Sequence, residues 1–188
     1  FPKLEIVSSF GVGYDHVDSA YAREHNIVVT NTPDVLTEEV ADVAMGLLIA
    51  TLREFVKADR YLRAGQWQTQ NYPLSAGSLR DRKIGIVGMG RIGQAIARRG
   101  HLGFDMRVVY HNRSHLPAAD EAALKATWLG LDDLMRTADH IVVVTPYTPQ
   151  THHLVGAAQL ALMKPTATLT NIARGGVVDD AALAHALA

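Results

Sequence analysis

Short apolar runs alternate with helical patterns along the chain. A short apolar run ends at Val87, and the run 140–144 is continuous and rich in β-branched residues, which is typical of a strand buried on both faces of a parallel sheet. Further strands are predicted at 4–9, 26–31, 106–110, 127–129 and 167–170, and helices at 18–24, 37–56, 57–64, 132–137, 159–163 and 180–188, with one more directly after the run that ends at Val87. This alternation predicts an α/β fold with a doubly wound parallel sheet and right-handed crossovers.

The longest helical pattern, 37–56, is apolar nearly all the way round its axis. Thr37 is the expected N-cap, and acidic residues follow it in the first turn. A helix of this kind is buried on more than one side. We therefore predict that one side faces its own domain and the other a second copy of the chain in a homodimer; a central core helix in a monomer is the alternative.

Composition narrows the class of protein. The net charge of −1 provides no field that would attract nucleic acid or an anionic membrane. The absence of cysteine excludes disulfides and thiolate-ligated metals. The nine histidines form no metal-ligand pattern, and the adjacent His152 and His153 are expected to diverge on a surface loop. No apolar run is long enough to span a bilayer, so we expect a cytoplasmic protein without a metal.

The glycines Gly88, Gly90 and Gly93 lie between an apolar run and a helical pattern. They form the G-x-G-x-x-G fingerprint of dinucleotide-binding proteins in its strand–turn–helix setting. Gly88 makes the turn, Gly90 allows the backbone to approach a pyrophosphate, and Gly93 lets the helix pack on the strand. Free N–H groups at the helix start attract phosphate. A glycine-rich turn that binds nothing is the alternative.

The end of the strand 106–110 predicts which dinucleotide is bound. Proteins that use NAD present an acid there for the adenosine ribose. This chain has Asn112 at the expected distance from Gly93, followed by Arg113 and Ser114. A guanidinium and a hydroxyl suit a 2′-phosphate, so we predict NADPH rather than NADH. Arg113 as an ordinary solvated loop residue is the alternative.

Two further loops contain groups that can bind an anion, the loop 11–13 and the loop that contains Arg174. The loop 11–13 places two glycines around a valine, which exposes consecutive N–H groups, although a plain strand-to-helix turn explains it equally well. Arg174 follows the predicted strand 167–170, at the carboxyl edge where open α/β sheets bind ligands. An arginine there is a bidentate fork for a carboxylate. A structural pair with Asp179 or Asp180 is the alternative.

Together these motifs resemble the D-isomer-specific 2-hydroxyacid dehydrogenases, most of all the glyoxylate/hydroxypyruvate reductases and 2-ketogluconate reductases. The matching stretches run in the family's order: 9–15, 28–33, the fingerprint, 163–165 and 171–179. The resemblance implies a Rossmann NAD(P)-binding domain at 33–188, truncated at its C-terminal end. It implies that 1–32 are the C-terminal part of a flavodoxin-like substrate-binding domain.

The resemblance also implies roles for individual residues. Val12 and Gly13 would hold the substrate carboxylate, and Arg174 would be the catalytic arginine that binds the carboxylate and polarises the carbonyl. The implied reaction transfers a hydride from NADPH to glyoxylate, hydroxypyruvate or 2-ketogluconate and gives the D-2-hydroxy acid. The motifs and the resemblance together predict these cofactor-binding residues: Gly88, Gly90, Arg91, Ile92, Gly93, Asn112, Arg113, Ser114, Thr145, Pro146, Ile172 and Ala173.

The chain departs from the family pattern in one respect. The resemblance implies an acid/base histidine in a Pro-His context and a carboxylate partner, and neither has a counterpart in this sequence. Members of the family are longer at both ends, so we expect a segment that binds the cofactor but is catalytically incomplete. The C-terminal-binding co-repressors are similar to these enzymes, which makes a dinucleotide-binding assembly protein the alternative function.

Overall fold

The computed structural model describes residues 1–73, 75 and 77–188 of the chain. The strands are β1 (Ile6–Ser8), β2 (Val28–Thr30), β3 (Lys83–Val87), β4 (Arg107–His111), β5 (Ala126–Trp128), β6 (His140–Val143) and β7 (Thr168–Asn171). The helices are α1 (Ser19–Glu24), α2 (Thr37–Leu52), α3 (Phe55–Arg63), α4 (Arg91–Phe104), α5 (Ala118–Leu124), α6 (Leu131–Thr137), α7 (Ala157–Ala161) and α8 (Asp180–Leu187), with a 3₁₀ turn at Gln66–Gln68.

The strands form two separate parallel sheets. β1 pairs with β2, and the other strands form a five-stranded sheet in the order β5-β4-β3-β6-β7. The chain builds the second sheet outward from β3, first to one side and then to the other. The predicted α/β fold with a doubly wound parallel sheet is therefore confirmed. The sequence-based boundary between 32 and 33 stays a prediction.

Alternate strand residues build one core on each face of the large sheet. Ile86 and Val142 pack with helices α2 and α4 on one face. Val87 and Val143 pack with α6 and α7 on the other face. This double burial explains why β3 and β6 are continuous apolar runs in the sequence.

The structure corrects both ends of the predicted helix 37–56. Thr37 is the first residue of α2 rather than its N-cap, and Leu36 in the cap position provides no side-chain hydrogen bond. The predicted helix 37–56 ends at Leu52, because Glu54 takes a left-handed conformation (φ 54°) and α3 starts after it. The Glu54 carboxylate accepts hydrogen bonds of 2.8 Å from Lys57 Nζ, in the first turn of α3, and from the Tyr72 hydroxyl, 18 residues further along the chain. The helix α5 was missed by the sequence analysis.

Helix α2 buries only one of its two apolar sides within the chain. Met45 and Leu48 lie in the core beside α4, whereas Val43 and Leu47 are 59% and 47% exposed. Ion pairs also link α4 to α2 at the surface, such as Arg98–Glu38 at 2.9 Å. The homodimer contact through the exposed side stays a prediction. No helix in the described part of the chain has the length and apolar character needed to cross a membrane.

Gly93 allows α4 to pack directly on the turn after β3. A Cβ on this residue would collide with the Gly88 carbonyl oxygen, which is backbone and cannot move aside at low cost. We expect Gly93→Ala to lower the free energy of unfolding by about 1–3 kcal/mol, the usual cost of overpacking. Urea unfolding monitored by circular dichroism measures this difference.

Gly103→Ala is the matched control, because Gly103 lies in the same helix with open space around its Cα. Alanine removes backbone freedom from the unfolded chain, so this substitution should stabilise the protein by about 0.5–1 kcal/mol. Equal effects of the two substitutions would contradict the close packing at Gly93.

Candidate active site

The carboxyl ends of β3 and β6 meet where the strand order reverses, which is the place where open α/β sheets bind ligands. Gly88, directly after β3, has a left-handed φ of 106°. A Cβ on it would lie 2.8 Å from the backbone nitrogen of Thr145, which follows β6. Gly88 and Thr145 are therefore in backbone contact at the floor of the crevice, as the tight turn assigned to Gly88 requires.

The start of α4 offers an open approach to a phosphate group. Gly90 is exposed, and nothing lies within 4 Å of the position that its Cβ would take. It caps the helix with extended backbone and no side-chain hydrogen bond, so its side of the helix terminus is not blocked. Free N–H groups and a positive helix end are what a pyrophosphate needs. The residues present therefore fit a dinucleotide.

Asn112 has a structural contact that the sequence analysis did not foresee. Its side-chain oxygen accepts a hydrogen bond of 2.7 Å from the Met89 N–H, within the glycine turn. Its backbone carbonyl accepts one of 3.0 Å from Trp128 Nε1. Asn112 thereby ties the end of β4 to the fingerprint, while Arg113 and Ser114 beside it are exposed at the rim of the crevice.

The other predicted cofactor residues surround the same crevice. Arg91, the first residue of α4, forms an exposed ion pair of 2.7 Å with Asp34. Ile92 and Ile172 are partly buried against the core on the α4 side of the sheet, and Ala173 packs against the core on the other side. Pro146 follows Thr145, and its carbonyl accepts a hydrogen bond of 2.8 Å from the Thr151 hydroxyl.

Arg174 lies beside Gly13 of the glycine loop, 161 residues away along the chain. A Cβ on Gly13 would collide with Arg174 Nη2, so the guanidinium lies directly against the Gly13 backbone. Its Nε donates a hydrogen bond of 3.2 Å to Asp15 Oδ1. The alternative, a pair of Arg174 with Asp179 or Asp180, does not form at Asp179: this carboxylate accepts hydrogen bonds from two N–H groups at the start of α8. Among the described residues, Arg174 forms its ion pair with Asp15. Asp15 stands in the same loop as Gly13 and is the partner that the sequence analysis missed.

The loop 11–13 is fixed by hydrogen bonds to Asn31 and Thr32, and two of its backbone amides remain available to a ligand. Gly11 N–H donates 2.9 Å to the Thr32 hydroxyl, and the Val12 carbonyl accepts 2.8 Å from the Asn31 side chain. Among the described residues, the N–H groups of Val12 and Gly13 have no hydrogen-bond partner. Adjacent free amides beside a guanidinium are the groups that bind a carboxylate.

The two adjacent histidines correct another expectation. The rings of His152 and His153 do not diverge: they stack with centroids 3.8 Å apart, and His152 also contacts Tyr147. The main chain explains this, because His153 has a left-handed φ of 51° and its N–H donates to the Gly176 carbonyl. Within residues 1–73, 75 and 77–188, no cluster of three or more His, Cys, Asp or Glu side chains is placed to hold a metal.

Relatives share both the sequence and this fold. The chain is 47% identical over 99% of its length to a glyoxylate reductase of Thermococcus gammatolerans. It is 43% identical, again over 99%, to a glyoxylate/hydroxypyruvate reductase B of Citrobacter koseri. Its fold matches that of an NADPH-dependent glyoxylate/hydroxypyruvate reductase from Sinorhizobium meliloti, solved with NADP and malonate, with a TM-score of 0.92 and 46% identity over 100% of this chain.

The chain spans 57% of the length of these three relatives. Residues 45–188 match the NAD-binding domain of one family, and that match covers most of the sequence. The chain therefore belongs to the D-isomer specific 2-hydroxyacid dehydrogenases.

Proposed function

We propose that the protein containing this chain uses NADPH to reduce a small 2-oxo acid to the 2-hydroxy acid, which has the D configuration wherever C2 becomes a stereocentre. Glyoxylate and hydroxypyruvate are the first candidate substrates, and 2-ketogluconate is a further one. The observation that supports this most is the position of Arg174 against the Gly13 backbone, in front of a crevice that fits a dinucleotide. Arg174 and the loop 11–13 then suit a carboxylate, and the glycine turn after β3 suits a dinucleotide. The names of the similar reductases point to the same substrates.

Each group at the site has a defined task in this reaction. The amides of Val12 and Gly13 bind the carboxylate of the 2-oxo acid. Arg174 donates to the carboxylate and to the keto oxygen, and this interaction strengthens as negative charge develops on that oxygen. Bound NADPH supplies the hydride that adds to the keto carbon. Because a guanidinium does not give up its proton in proteins, Arg174 stabilises the charge but a separate acid protonates the alkoxide.

The preference for NADPH is assigned to the rim after β4. Arg113 and Ser114 are exposed there, and both can donate to the oxygens of a 2′-phosphate. Asn112 stands at the position where proteins that use NAD have an acid, and that acid would repel the 2′-phosphate. Arg91 is assigned to the pyrophosphate, which NADPH and NADH share.

We also propose a cytoplasmic homodimer. The exposed apolar side of α2 around Val43 and Leu47 supports the dimer, since a contiguous apolar surface of this kind marks an interaction site. The absence of cysteine is compatible with a reducing compartment.

The first prediction tests the activity. The full-length protein should oxidise NADPH rapidly when glyoxylate or hydroxypyruvate is added. Arg174→Ala should lower kcat by roughly 10²–10³-fold, as expected when one donor to the developing oxyanion is lost, with little change in the Kd of NADPH. Arg136→Ala is the control, because among the described residues Arg136 pairs with Asp133 alone, on the surface of α6. Tight NADPH binding without turnover would favour a dinucleotide-controlled assembly protein instead.

The second prediction tests the cofactor. A hydrogen bond to a charged group contributes about 1.5–3 kcal/mol, so Arg113→Ala should weaken NADPH roughly 10- to 150-fold and leave NADH nearly unchanged. Arg91→Ala should weaken both cofactors alike. Fluorescence titration of each cofactor measures these effects.

Asn112→Asp should shift the preference further towards NADH. It keeps an oxygen for the Met89 N–H but sets a carboxylate against the 2′-phosphate and offers the NADH ribose an acceptor. Equal affinity of the unmodified protein for both cofactors would contradict the assignment of this loop.

The third prediction tests the dimer. Leu47→Arg should convert dimers into monomers, because Leu47 is 47% exposed in the single chain and a buried guanidinium has no partner at an apolar contact. Leu48 lies fully in the core, so Leu48→Arg should unfold the protein rather than dissociate it. Sedimentation of the unmodified protein as a monomer would refute the dimer proposal.

A further inference from the structure

The guanidinium of Arg174 is oriented by two protein acceptors. Its Nε donates to Asp15 Oδ1 at 3.2 Å, and its Nη1 donates to the Ala173 carbonyl at 3.1 Å. Nη2 lies against the backbone of Gly13. Two sides of the planar fork are therefore fixed, and the donors that remain for a ligand are on Nη2 and the second hydrogen of Nη1.

These remaining donors lie on the side of the loop 11–13, whose Val12 and Gly13 amides have no partner among the described residues. A carboxylate placed there would receive hydrogen bonds from both the guanidinium and the loop. The side chain of Asp15 belongs to the same loop as these amides. It thus holds Arg174 and the amide donors in one fixed arrangement.

The Asp15–Arg174 pair is too exposed to act mainly as a stabilising interaction. The two side chains are 47% and 48% exposed, and ion pairs of this kind contribute little to folding because water screens them. A hydrogen bond from its own backbone amide and the neighbouring Arg174 guanidinium lower the pKa of the Asp15 carboxyl. Asp15 is therefore an anion at neutral pH, and its main effect is on the direction of the flexible arginine.

We propose that Asp15 is a positioning residue: it fixes the Nε edge of Arg174 so that the Nη edge faces the substrate carboxylate and keto oxygen. This inference rests on the proposed function of the site. A long side chain without this acceptor would sample several rotamers, and small displacements of a positioned group are costly in catalysis.

The test compares Asp15→Ala with Asp15→Asn in the full-length protein. Asp15→Ala removes the acceptor, so we expect a higher KM for glyoxylate, a lower kcat and a loss of about 10- to 100-fold in kcat/KM. Asp15→Asn keeps an oxygen for Nε and should recover most of this loss. Asp18→Asn is the control, since it removes the same charge three residues away and asparagine retains the N-cap of α1.

Two binding measurements accompany the kinetics. The Kd of NADPH should be the same in all variants, which also shows that each has folded. The Kd of oxamate, an unreactive analogue of a 2-oxo acid, should rise in Asp15→Ala and recover in Asp15→Asn. An unchanged or lower KM and oxamate Kd in Asp15→Ala would overturn the proposal, and so would an asparagine variant as impaired as the alanine variant.

Failure of the proposed function would look different. In that case the unmodified protein would not reduce any 2-oxo acid, whatever stands at position 15. The oxamate titration would still show whether Asp15 orients Arg174 towards a carboxylate.

Discussion

The close approach of backbone segments at Gly88 is the constraint on which the rest of the site depends. The Gly88 N–H donates to the carbonyl of His111 at the end of β4, and its Cα lies against Thr145 after β6. Its carbonyl faces Gly93 of α4 with no room for a side chain between them. One residue without a Cβ thus joins three segments of the crevice. A larger residue there would require the left-handed φ of 106° and would separate these segments.

The two buried faces of the sheet hold this arrangement in place. Because β3 and β6 are covered on both sides, the ends of their strands cannot shift without disturbing two cores. Asn112 adds a lateral tie, since its side chain binds the glycine turn from the end of the neighbouring strand. The floor of the crevice is therefore anchored to both cores and to the end of β4, and its rim, with Arg113 and Ser114, is exposed.

Two arginines connect the sheet edge to the N-terminal part of the chain. Arg91 at the start of α4 pairs with Asp34, and Arg174 after β7 pairs with Asp15. Both pairs are exposed, so neither contributes much to stability. Each pair instead gives its arginine a carboxylate partner from the N-terminal part of the chain. The proposed contacts with pyrophosphate and with a substrate carboxylate involve these same two arginines.

The sequence by itself determined the α/β fold, the succession of its strands along the chain, and the place of the fingerprint. These features follow from local rules, since doubly buried strands need continuous apolar runs and a tight strand-to-helix turn needs glycine. The tertiary structure decided where α2 ends, since the left-handed Glu54 between α2 and α3 accepts a hydrogen bond from the Tyr72 hydroxyl, 18 residues further along the chain. It also decided that Asn112 binds Met89 and that Arg174 pairs with Asp15 rather than Asp179. A side chain's partner is the acceptor that folding brings within about 3 Å, and neither composition nor spacing records which distant residue that is.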